Sequence, residues 1–61
     1  MPISITAELQ PYQAEALAQL CKRIGWSDCR SNASNDDEAY RMMDAIAKLQ
    51  RALAESGFAP R

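Results

Sequence analysis

The sequence predicts a mostly α-helical domain: a short N-terminal strand followed by an antiparallel two-helix hairpin, completed by dimerisation through the strand. Three observations carry this. Apolar residues recur at helical spacing from Asn35 to Gly57, between explicit start and stop signals; the same spacing returns from Pro11 to Ile24; and the first nine residues alternate with period two.

In the N-terminal segment Ile3, Ile5, Ala7 and Leu9 fall on one side and Ser4, Thr6 and Glu8 on the other, which predicts a half-buried strand over about residues 3–8. The alternative is an extended arm lying over the helices. No second stretch reads as a strand, and a lone strand leaves its amides and carbonyls unpaired. The simplest partner is the same strand of a second copy. A homodimer is therefore expected, its ribbon enlarging a core that 61 residues can only just supply.

The first helix is predicted over about residues 11–24. Pro11 suits its first position, where the missing amide hydrogen would have been unsatisfied anyway, and Leu17, Leu20, Cys21 and Ile24 follow at i, i+3, i+4 and i+7. Lys22 and Arg23 place cations at the negative end of the dipole, and Gly25 supplies the stop.

Residues 25–35 read as a loop with one helical turn, capped by Ser27 and running through Arg30, before the polar cluster Ser31-Asn32-Ala33-Ser34-Asn35. Trp26 is expected as a lid on the end of the two-helix core, with a binding platform as the competing role.

The second helix is predicted over about residues 36–56, with Ala39, Met42, Ile46, Leu49 and Leu53 on its buried face, widened by Met43 and Ala47. Ser34 or Asn35 can cap it, and Asp36, Asp37 and Glu38 set negative charge against the positive end of the dipole. Gly57 can take the left-handed conformation that closes a helix, Phe58 can fold back on the last turn, and Pro60 forbids resumption. Leu20 and Leu49 are expected in the core, at about 2–5 kcal/mol each on truncation to alanine. The pairs Asp37–Arg41 and Asp44–Lys48, four apart, describe a solvated face.

Composition narrows the function. Seven basic and eight acidic residues give a net charge of −1, so no overall field draws the chain to nucleic acid or membrane. The absence of histidine removes the commonest general base and metal ligand, and enzymatic activity is not expected. Cys21 falls on the apolar stripe; Cys29, placed in the loop near Arg30, reads as a somewhat reactive thiol with no histidine to make a dyad. Asp36, Asp37 and Glu38 point in three directions on a helix and do not make a cation site. No catalytic residue, cofactor or metal is expected. With neither secretory signal, membrane span nor lipidation motif in view, cytoplasmic residence is the default expectation.

The run Ile5-Thr6-Ala7-Glu8-Leu9-Gln10-Pro11, followed by Leu17, Leu20, Lys22-Arg23-Ile24-Gly25 and Ser27, resembles the opening of ribbon-helix-helix proteins over roughly the first half of the chain. The resemblance implies strands paired across a dimer, with Ser4, Thr6 and Glu8 facing the DNA major groove and Gly25-Trp26-Ser27 as the turn before a phosphate-holding helix. The chain departs from that pattern in carrying an acid among the outward trio and in starting its long helix near Asn35 rather than Ser27. The whole chain also resembles small uncharacterised proteins of proteobacterial mobile elements, at Gly25-Trp26-Ser27-Asp28, Asp37-Glu38-Ala39-Tyr40-Arg41-Met42 and Gly57-Phe58-Ala59-Pro60-Arg61.

The expected function is a protein-interaction module, an adaptor or inhibitor encoded on a mobile element, meeting an unidentified protein through Trp26, Asp36, Asp37 and Glu38. The alternative is a ribbon-helix-helix transcriptional regulator or antitoxin reading DNA through Ser4, Thr6 and Glu8. Thin positive charge weakens the phosphate attraction on which DNA affinity rests and favours the first.

Overall fold

The computed structural model describes residues 1–58. These form three helices, α1 (Pro11–Arg23), α2 (Trp26–Asn32) and α3 (Asp36–Glu55), preceded by an arm, residues 1–10, that belongs to no helix or strand. Both α1 and α2 pack on α3, whose 20 residues make a rod of about 30 Å.

The expected N-terminal strand is not there, and no strand occurs among the described residues. Alternation of apolar and polar residues yields a strand only where a ladder partner satisfies the backbone, and the chain offers none. The arm instead keeps its backbone in water, with Ile5 85% exposed. The strand ribbon drawn between two copies falls with the strand, and the fold is a three-helix arrangement rather than a strand plus hairpin.

Helix α1 starts at Pro11, with Gln10 ahead of it donating its backbone N–H to Gln13 Oε1 at 2.8 Å, one half of a capping box. Its buried residues are Ala14, Ala18 and Cys21, which form a core cluster with Leu53 of α3; Leu17, Ile46 and Phe58 pack around it. The α1 residues in this cluster are all small. The larger Leu20 is 56% exposed: two positions beyond Ala18, it points about 160° away at 3.6 residues per turn. On α3, Ala39 and Leu53 are buried and Leu49 is 40% exposed. The placement of Leu20 and Leu49 in the core is thus corrected. The core lies one shoulder round from the face that the bulkiest side chains suggest, because alanine, weakly hydrophobic in isolation, is the residue that fits a close helix crossing.

The segment expected as a loop with one turn contains α2, which runs to Asn32. Its start is marked by Asp28, whose Oδ2 accepts from Gly25 N–H at 3.0 Å, and not by Ser27. Cys29, expected on a loop, is buried on α2, so its thiol is shielded. At the far end of α3, Gly57 adopts φ 95°, Phe58 N–H donates to the Leu53 carbonyl at 2.8 Å and Gly57 N–H to that of Ala54 at 3.0 Å. This pair of bonds is a Schellman motif, and it carries Phe58 back onto the core cluster. Pro60, the expected barrier to resumption, lies outside the described residues.

Candidate functional site

The turn from α2 into α3 is an elbow assembled by short-range polar bonds. Within α2, Ser31 Oγ and Asn32 Nδ2 both donate to the Asp28 carbonyl, at 3.0 and 2.8 Å. Arg30 reaches forward: its Nε donates to Asp36 Oδ1 at 2.6 Å and its guanidinium to the Ala33 carbonyl at 3.2 Å. Asn35 is the α3 N-cap, its Oδ1 accepting from Glu38 N–H at 2.8 Å. Glu38 in turn reaches past the cap to Ser34, accepting from its backbone N–H at 2.8 Å and its hydroxyl at 3.1 Å. These two bonds, backbone first, hold the Glu38 carboxyl below the usual glutamate range, with Arg41 adding a smaller pull in the same direction.

This chemistry sorts the acidic trio. Asp36 is engaged by Arg30 and Glu38 by Ser34, so two of the three carboxylates serve the elbow. Asp37 is exposed and makes no hydrogen bond within the described residues.

Beside the elbow, the Trp26 ring meets that of Tyr40, with centroids 4.6 Å apart and planes tilted by 42°. Trp26 remains 39% and Tyr40 62% exposed. Trp26 therefore leans across the α2–α3 joint with its ring partly in water. Tyr40 was visible in the sequence only as a neighbour of Met42 and Met43; those methionines are half-buried, while Tyr40, about 100° from Ala39, faces out.

Ser4, Thr6 and Glu8 all lie exposed on the arm, and the paired strand that would present them to a DNA groove is absent. The arm does take part in a second feature that periodicity missed. Ile5, Ala7 and Leu9 line an apolar groove of about 530 Å³ together with Leu17, Ala45 and Leu49. The signal for it was present in the alternation of the arm, but on its other wall Leu17 and Leu49 were assigned to the core and Ala45 to no role.

Among the described residues no group of three His, Cys, Asp or Glu side chains is placed to hold a metal ion, and no helix is long and apolar enough to cross a membrane. Burial raises the Cys21 thiol pKa, which suits a packing residue better than a nucleophile.

Fold and surface together define a small helical domain with an aromatic elbow on one joint and an apolar groove beside its arm. Over residues 1–61 the chain matches a family of unknown function (DUF7706), and it belongs to that family. Comparison with curated proteins and with solved structures gives no match.

Proposed function

We propose that this chain is a non-enzymatic protein-interaction module, an adaptor or inhibitor, that binds a partner protein through the Trp26–Tyr40 pair and the neighbouring carboxylate of Asp37. The observation that carries it is the pair itself: two large aromatic side chains in ring contact, both open to solvent, one from each of the two helices that the hydrogen-bonded elbow joins. Tryptophan and tyrosine dominate binding energy at interfaces because they bring large area for few rotatable bonds. An elbow fixed by Asn35, Glu38 and the Arg30–Asp36 pair presents them with little left to order on binding. The matching partner surface has an apolar pocket for the rings and a cation for Asp37. The resemblance of Gly25-Trp26-Ser27-Asp28 to proteins of mobile elements supports a setting of that kind.

Affinity capture from the source cell with wild type, Trp26→Ala and Asp37→Asn tests this. A partner held by wild type should be lost with Trp26→Ala and weakened with Asp37→Asn, while helical circular dichroism is kept. Titration with duplex DNA at low and moderate salt should show no specific binding. A sequence-specific complex, abolished by Thr6→Ala, sinks the proposal.

A further inference from the structure

The accessible surface of this chain, which includes the groove and its margins, is larger than a free compact monomer of this size explains. Folded monomers of 6.8 kDa expose about 4,000 Å² on the usual mass scaling, whereas this chain exposes 5179 Å². Removing residues 59–61 from the sum at the full exposure of an unfolded chain, about 500 Å², still leaves an excess of about 700 Å². That is close to the roughly 800 Å² each partner contributes to a standard interface. The arm, exposed at every one of residues 1–10, accounts for much of the surplus, and Ile3, Ile5 and Leu9 on it and Leu20 and Leu49 on the helices are apolar.

We infer that a second copy of this chain covers this face, packing against the arm and against the shoulders of α1 and α3 that carry Leu17, Leu20 and Leu49. The contact is made by side chains and needs no strand. Three features select a second copy over a different partner. The buried core consists of alanines, cysteines and Leu53, so covering this face adds apolar burial that the small core lacks, and the partner always present is the chain itself. From Pro11 to Cys21, α1 carries a single charge, Glu15, so the α1 side of this face brings little of the like-charge repulsion that opposes self-association. The face is also apolar throughout its groove, whose lining residues Ile5, Leu9 and Leu49 are themselves exposed, so the same patch can meet its own copy as a two-fold interface requires.

Sedimentation equilibrium over about 1 to 100 µM chain tests the inference, with association read by mass action. The expected mass at the upper end is twice 6.8 kDa. Ile5→Glu and Leu49→Glu should each raise the dimer dissociation constant at least about tenfold, and Tyr40→Ala should leave it unchanged. Ile5 lies on the arm, outside the helical core, so Ile5→Glu keeps its helical circular dichroism and decides the matter even if Leu49→Glu unfolds. A helical monomer across the whole range overturns the proposal. So does a dimer indifferent to Ile5→Glu, or one that Tyr40→Ala dissociates.

Discussion

The elbow between α2 and α3 and the arm before α1 are segments of similar length in one chain, and they have opposite fates. In the elbow, Arg30, Ser31, Asn32, Ser34, Asn35 and Glu38 all bond to backbone or to one another. Through residues 1–9 of the arm, no side chain is buried and nothing is bonded within the described residues. The difference lies in what each pattern needs. Polar side chains three to six residues from their acceptors close their bonds locally, whereas alternating apolar residues are stabilised only by a surface that the rest of the chain must provide.

Four measurements sharpen or break this contrast. The largest effect is expected at Leu53, where truncation to alanine should cost about 2–5 kcal/mol and leave a domain of roughly 5 kcal/mol mostly unfolded in a urea titration. Leu49→Ala should cost about 1 kcal/mol at concentrations where the chain is monomeric, since much of that side chain is already in water. The reverse order would place the core on the wrong shoulder of α3. At the elbow, Asn35→Ala should lower stability by about 1 kcal/mol through loss of the cap, while Ser4→Ala on the arm stays within about 0.5 kcal/mol. Equal costs at the two sites would erase the distinction.

A smaller coupling, about 0.5 kcal/mol, is expected from a double-mutant cycle on Trp26→Ala and Tyr40→Ala, at the low end for ring pairs because both rings are hydrated. Strict additivity would mean the rings touch without mutual stabilisation. The smallest effect concerns pH. The folded Glu38 carboxyl titrates below its unfolded value, so its contribution is fully present above the ordinary glutamate pKa of about 4.3 and is lost as pH falls through the lowered folded value. In thermal melts Glu38→Gln should flatten the acid limb, and Ser34→Ala should do so less, since its backbone amide still donates.

The ends of α3 were legible because each rests on neighbours in sequence: Asn35 and Glu38 at the start, and Gly57 with Phe58 at the stop. The acidic trio was legible as helix-start chemistry, but not the division of labour within it, which depends on where Arg30 comes to lie once α2 has formed. α2 itself was hidden because Ser27, Asp28, Ser31 and Asn32 among its seven residues, WSDCRSN, are turn-formers, and its one buried residue, Cys29, gives no apolar period to read. Leu20 and Leu49 misled for a different reason. Hydrophobic spacing identifies an apolar arc but not which part of it is used, and here alanines take most of the buried part. The Trp26 side of the site was visible as an aromatic with two competing roles, lid or binding platform; the groove was not, because Leu17 and Leu49 of its lining were credited to the core.

The elbow also bears on the order in which the chain folds. Its side-chain bonds span three to six residues, so little loop entropy is lost in making them, and helical turns of this kind relax in about a microsecond or less. The cluster of Ala14, Ala18, Cys21 and Leu53 closes over more than thirty intervening residues and must wait for α1 to find α3. α2 and the start of α3 are therefore expected to form the nucleus, with α1 docking afterwards. In a chevron experiment Asn35→Ala should chiefly slow refolding and Leu53→Ala chiefly speed unfolding, a division of roles that neither thermal melts nor equilibrium titrations can reveal.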